Sequence, residues 1–506
     1  MTQKLMFSEL YHYQRATEQQ REQAGICAED YYDLNWFQHD VLNVEVEMFI
    51  LHRAYEKPLH ILKRERAIVD IIGWFCMECE PYMDNLVDYK NGRIIKGFNQ
   101  WFSILRLKRV ISRYGSDEES DLTFKEIEEY LRTLIGYSKE HDFRTEIEKQ
   151  RWDLRKLEMP YRTKVTERCF SISFTNIAQI RMRYEMKKTV LLWMKQFSAG
   201  TIRGRIAAFA KFSNYLLERY AWVESIRQLN RDMIEDYLIY RKVECISTKG
   251  FSTELKSLKA TLDECALIFE CNSLKGLILD TDVPSRPKHR LQTYSEDEQK
   301  LWIEATRHME GQVGRALLLH MILGTRISEI QSLRQDCIIK KEEHYWIRID
   351  GIKGRTYLKP ITEEIRAIIE KAICYTEEVC GASEFVFADK RDPAKPMPYS
   401  TIVYHLNKVI NEFDMRDDQG KRFKSKTHIF RHCYGVKLTE LHVPDEIIAL
   451  LLGHKNTDSV QVYRRMSNKI MAEETRQVRR KIDDILLEIV KEWDGYEDIY
   501  TFERFL

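Results

Sequence analysis

Proline breaks an α-helix and glycine weakens one, and this chain has only 10 prolines and 20 glycines among its 506 residues. Long stretches are therefore free to coil, and apolar residues recur at helical spacing over most of the length. The expected fold is mainly α with a small β-hairpin or sheet, an α+β arrangement within a multidomain chain. Strand signals are local. The clearest is Tyr345 to Ile361, YWIRIDGIKGRTYLKPI, where apolar and polar residues alternate on both sides of a glycine-containing turn, the pattern of a β-hairpin.

A chain of this length exceeds the ~100 to 200 residues of an ordinary domain, and four segments are expected. Residues 1–164 are rich in aromatics, including Trp36, Trp74 and Trp101, and look folded, but no motif in them declares a role. Residues 165–285 read as a small helical domain. In a helix from Thr201 to about Tyr220, Ile202, Ile206, Phe209, Leu216 and Tyr220 share one face, leaving Arg203, Arg205 and Lys211 free to reach solvent or phosphate. A second helix, Arg231 to Lys242, follows. The two prolines in Asp282-Val283-Pro284-Ser285-Arg286-Pro287 resist helix and suit an exit linker. Residues 286–480 form the next domain. The acidic tail 481–506 carries Ile482, Ile485, Leu486, Ile489, Val490 and Trp493 at helical spacing, ready to pack on its own core or on a neighbouring protomer.

The net charge of +1 is not that of a typical nucleic-acid binder, but its distribution is uneven. Residues 165–280 hold 18 Lys+Arg against 13 Asp+Glu, and residues 281–480 hold 34 against 29. The ends are acidic, with 25 against 29 in residues 1–164 and 3 against 8 in residues 481–506. A weakly basic middle is compatible with DNA without establishing it. No stretch approaches the ~20 apolar residues of a membrane span, and the amino terminus lacks the apolar core of a signal peptide, so a soluble cytoplasmic protein with no membrane partner is expected. Eleven scattered cysteines suit reduced thiols better than a disulfide framework. Cys76-x-x-Cys79 lacks a second pair at zinc-site spacing, which favours buried thiols over a metal site.

Four segments carry residue types suited to chemistry at a phosphate. In Gly324-Thr325-Arg326-Ile327-Ser328-Glu329-Ile330, the first two residues suit a turn and Arg326 stands near the start of the ensuing helix, with Glu329 one turn on to orient its guanidinium. Lys353 sits at the hairpin tip, where a loop can deliver an ammonium; Arg355 and Lys359 are nearby competitors for a DNA contact. In His428-Ile429-Phe430-Arg431-His432, positions 428, 431 and 432, with Gly435 a turn further, make a polar stripe. Histidine shares or moves a proton near neutral pH, and arginine holds a phosphate through parallel hydrogen bonds. The absence of carboxylates in that segment argues against a metal ion. Finally, PDEIIALLLGHKNTDSVQVY reads as a helix opened by Pro444 and stopped near Gly453, with His454 in the connection, then a second helix capped by Thr457 or Asp458 and containing Tyr463. Taken singly, each segment has an ordinary reading: a surface ion pair, a solvated turn lysine, a packing tyrosine.

Together and in this order, GTRISEIQSLR, the hairpin lysine, HIFRH and LLGHKNTDSVQVY resemble the catalytic signature of the tyrosine recombinase (phage integrase) family, over roughly residues 290 to 475. The resemblance implies a catalytic set of Arg326, Lys353, His428, Arg431, His454 and Tyr463, with Glu329 and His432 in support. It implies a helical core-binding domain before the catalytic one, the two closing as a clamp on duplex DNA. It also implies four protomers on two sites, a 3′-phosphotyrosine intermediate, and no cofactor, ATP or metal. The hairpin turn is slightly shorter than the family's usual form, and residues 1–164 exceed a minimal two-domain recombinase, leaving room for an accessory DNA- or partner-binding domain. The alternatives at this stage are a topoisomerase-like nicking-closing enzyme, a DNA-binding regulator without catalysis, and a structural helical protein.

Overall fold

The computed structural model describes residues 4–107, 122–162, 164–243, 248–285, 291–351, 356–454 and 456–474. Lys353, Arg355 and the tail 481–506 lie outside them. The chain divides into two compact units, one of residues 1–163 with 169–287, the other of 164–168 with 288–506. The described part is mainly helical with small antiparallel sheets. None of its helices is long and apolar enough to cross a membrane.

The first unit contains two hydrophobic cores. One gathers Leu42, Val46, Phe49, Leu62, Ile72, Phe98 and Leu131 from the helices Asp40–Glu56, Leu59–Cys79, Asn91–Leu107 and Phe124–Glu140. Of the two thiols expected to be buried, Cys76 lies in this core, where burial raises its pKa, whereas Cys79 at the end of the same helix is exposed. The other core gathers residues from Ile180–Trp193, Ala199–Arg219, Arg231–Val243 and Thr248–Ile268. The helix expected from Thr201 begins two residues earlier because the Ser198 hydroxyl accepts from the Thr201 amide as its cap. Its expected inner face is buried except for Tyr220, which is half-buried and donates its hydroxyl proton to Asp236. Arg183, buried in Ile180–Trp193, donates 2.9 Å bonds to Asp84 Oδ1 and to Tyr82 O in the segment after Leu59–Cys79.

The elements of the second unit are numbered within it. Helices α1 (Glu296–Arg307), α2 (Gly311–Leu323) and the short α3 (Ile327–Gln331) precede a three-stranded antiparallel sheet of β1 (Ile338–Lys341), β2 (His344–Asp350) and β3 (Thr356–Ile361). The expected hairpin is the β2–β3 pair, in register from Tyr345 opposite Ile361 to Asp350 opposite Thr356; β1 adds a strand that the sequence pattern did not announce. Then come α4 (Glu363–Cys380), the short pair β4 (Ala388–Asp389) and β5 (Asp392–Pro396), α5 (Tyr399–Glu412), α6 (His428–Glu440), α7 (Asp445–Leu451) and α8 (Gln461–Glu474). Trp302, Leu317, Ile330, Ile347, Ile349, Ile369, Phe387 and Phe430 build the main core. A smaller cluster of Val436, Ile448, Leu452, Val460 and Tyr463 packs α6, α7 and α8 together.

Candidate active site

Two turns and one helix face bring the arginines together. Helix α2 ends at Gly324, whose left-handed φ of 59° reverses the chain. A Cβ there would lie 2.2 Å from the Tyr434 ring, so glycine is required both by conformation and by space. Two residues on, Arg326 is the N-cap of α3. Its backbone amide donates to Glu329 Oε2 at 2.7 Å and its Nη1 to Glu329 Oε1 at 2.8 Å. The carboxylate of Glu329 is buried, accepts from the Tyr357 hydroxyl at 3.1 Å, and stands 4.0 Å from Arg431 Nη1. It is thus the shared anion of two arginines rather than the partner of a surface pair.

Arg431, on α6, is 1% exposed. It donates from Nη1 to Gly324 O at 3.0 Å and from Nη2 to Leu452 O and to His454 Nε2, the last at 2.9 Å. A guanidinium only donates, so His454 Nε2 accepts and the imidazole is neutral with its proton on Nδ1. Burial first, then the charges of Arg431 and Arg326, push the His454 pKa down to about 4. Tyr463 is reached in the first turn of α8, where its amide donates to Val460 O at 2.8 Å. Its ring stacks near that of His454, with centroids 6.2 Å apart and planes within 16°. It also lies against the α6 backbone at Gly435, where a Cβ would come within 3.0 Å of three ring atoms. Burial raises the phenol's pKa, while Arg431, through charge and a hydrogen bond, and Arg326 pull it down. His428, exposed at the start of α6, and His432 are T-shaped with centroids 4.7 Å apart, and the His432 ring lies 6.2 Å from that of Tyr463.

The structure therefore brings Arg326, Glu329, His428, Arg431, His432, His454 and Tyr463 into one neighbourhood. The expected DNA contacts of the helical domain are engaged within the first unit. Arg205 pairs with Glu264 at 2.9 Å and lies 4.0 Å over the Phe197 ring, Lys211 pairs with Glu254 at 2.6 Å, and Arg203 donates to Cys169 O at 2.7 Å. Two buried groups join the second unit's cluster: His320, which the sequence did not single out, and Lys359, which the sequence offered as a DNA contact and the structure buries. His320, on α2, lies 2.8 Å from Thr427 O through Nε2, and burial drives its pKa down to about 4. Lys359 occupies the inward face of β3 between Tyr357 and Ile361, where strand alternation calls for an apolar side chain. It donates to Leu323 O, and its ammonium lies 4.4 Å over the Tyr434 ring. Burial, then the charge of Arg431, pushes its pKa down to about 7.

Fold and site define a mainly helical α+β domain whose buried tyrosine faces an arginine pair and histidines. Residues 293–469 match the model of the phage integrase family, so that segment of the chain is similar to the family's members. Transposase B from transposon Tn554 of Staphylococcus aureus (strain Mu50 / ATCC 700699) is 22% identical over 342 residues, which are 67% of this chain and 54% of the transposase. The chain thus spans about half the length of that relative. Tyrosine recombinase XerA of Pyrococcus horikoshii is 23% identical over 274 residues, 54% of this chain and 88% of that one. Among solved structures, the XerH site-specific recombinase bound to difH substrate aligns with a TM-score of 0.45 and 15% identity over 59% of this chain and 85% of that chain.

Proposed function

We propose that the protein is a site-specific DNA recombinase that cuts and rejoins strands through a 3′-phosphotyrosine intermediate, serving integration, excision or transposition of a mobile element. The observation that carries this reading is the single cluster in which the Tyr463 phenol faces Arg431 and Arg326, both oriented by buried Glu329. In it Tyr463 attacks a backbone phosphate, and the two arginines receive the non-bridging oxygens, where charge accumulates in the transition state. Because burial keeps the phenol protonated, the attack requires a proton acceptor, and His428, at the open end of α6, is the proposed one. Neutral His454 orients Arg431 and stacks on the nucleophile. Lys353 is assigned the protonation of the leaving 5′ oxygen from its place in the family signature. A 5′ hydroxyl of another strand then reverses the step, and the ester conserves the energy.

The partner of this chemistry is duplex DNA, with residues 165–285 as the core-binding half of the clamp, residues 286–480 as the catalytic half, and affinity falling as salt rises. Arg203, Arg205 and Arg355 are carried forward as DNA contacts, as is Lys211, each of the three described ones needing to exchange its present partner. Residues 1–164 are assigned to accessory DNA or partner binding, the tail to a neighbouring protomer in a tetramer on two sites, and the protein to the nucleoid. The experiment is covalent trapping on a nicked suicide substrate from the element's own ends, wild type against Tyr463→Phe, on a denaturing gel. A protein–DNA band that vanishes in the variant is expected; a band that survives overturns the assignment of the nucleophile. Recombinant joints between two marked sites separate recombination from nicking and closing, and retained binding without any adduct would favour a DNA-binding regulator.

A further inference from the structure

Lys359 is the residue that the mechanism leaves unused. A lysine buried in a strand's inward face costs free energy to charge, and here the charge of Arg431 opposes it further. Packing alone would be met by a methionine or an isoleucine at this position. What the amine adds is a bond that no apolar side chain makes, to the carbonyl of Leu323 at the end of α2. That carbonyl belongs to the turn on which the arginine pair is built. The next carbonyl, Gly324 O, accepts from Arg431 Nη1 at 3.0 Å, the Tyr434 ring fills the space against the Gly324 Cα, and Arg326 follows two residues later. The same Tyr434 ring carries the Lys359 ammonium on its face.

We propose that Lys359 is a positioning residue for strand cleavage: its ammonium clamps the Leu323–Gly324 turn from the β3 side, as Arg431 does from the α6 side, and so holds Arg326 and Arg431 in register on one phosphate. This rests on the reading of Tyr463 as the nucleophile. The groups facing the amine are Glu329 from α3, Arg431 and Tyr434 from α6, the Leu323 carbonyl from α2 and, on its own strand, Tyr357 through Glu329. Of these Glu329 favours the charged form and Arg431 opposes it. With its pKa lowered to about 7, the amine is charged below neutral pH and loses its charge as pH rises through that value.

The test uses the full chain on the nicked suicide substrate, reading the single-turnover rate of adduct formation and the DNA Kd from about pH 5.5 to about pH 9, spanning the titration of the amine. Lys359→Met is expected to slow adduct formation about 10- to 100-fold, the scale for partners that orient contacting groups, while leaving Kd within about twofold. Lys359→Arg keeps a cation at every pH, so it is expected to restore the rate and to abolish a fall on the alkaline side that the wild type shows. A Lys359→Met protein with the wild-type rate and pH profile overturns the proposal. If Lys359→Met does not fold, Lys359→Arg decides: an alkaline fall like the wild type's overturns it, and a flat alkaline limb supports it. Absence of a Tyr463-dependent adduct in the wild type refutes instead the reading on which the proposal rests.

Discussion

Replacing Glu329 by glutamine keeps the side chain's shape and removes its charge, and the structure says what that does. The carboxylate is buried, bonds Arg326 twice, and stands 4.0 Å from the equally buried Arg431. At an effective dielectric of ~20, a unit charge pair at that distance is worth about 4 kcal/mol, and breaking a buried pair by removing one partner costs about 3 to 5 kcal/mol. Arg326 is partly exposed, so its pair with Glu329 adds little beyond this. The expected loss of stability for Glu329→Gln is therefore about 3 kcal/mol, or about 1.5 M in urea midpoint if the slope is about 2 kcal/mol/M. The same change removes an anion from the proposed phosphate site, so DNA affinity at low salt should hold or tighten while adduct formation slows. Urea unfolding followed by intrinsic fluorescence, with filter binding and adduct trapping on the same preparations, makes the comparison. An unchanged midpoint together with an unchanged adduct rate would refute the account of Glu329 as the anion shared by both arginines.

Arg431→Ala removes a preorganised donor and leaves the Gly324 and Leu452 carbonyls and His454 without their guanidinium; cleavage should fall about 100- to 1000-fold, measured as single-turnover adduct. Gly435→Ala places a methyl 3.0 Å from three atoms of the Tyr463 ring, so the ring must move by a few tenths of an ångström. Adduct formation should drop more than tenfold with little loss of DNA binding, on the scale by which small misplacements slow positioned reactions. His320 is depressed from 6.5 to about 4, so the native state resists a proton that the unfolded chain takes up; its contribution is present above pH 6.5 and lost as pH falls toward 4. At pH 5 that linkage amounts to about 2 kcal/mol, and a His320→Leu protein should show a correspondingly shallower loss of stability between pH 7 and 5 in denaturant titrations.

Much of the site was legible because its residues lie in short local patterns. The turn before Arg326, the stripe of His428, Arg431 and His432, and the spacing from His454 to Tyr463 are all set within a few residues of chain. Helix periodicity likewise announced the helices at 199–219 and 231–243, to within two residues at each end. What the pattern could not carry is contact between distant segments. The β1 strand is short and pairs only where β2 offers an edge. His320 reads as one residue of an apolar helix, and only packing places it against Thr427, 107 residues away.

The sequence by itself determined the helical class, the hairpin and the order and spacing of the arginines, histidines and tyrosine, because helix and strand periods are local properties of the chain. The tertiary structure alone decided that Glu329 serves two arginines, that His454 is neutral, that Tyr463 is buried against Gly435, and that Lys359 lies behind the arginine pair. Each of these depends on burial and on a neighbour from another element. Burial and long-range neighbours set charge states and hydrogen-bond partners, and they come into being only when the chain has closed on itself.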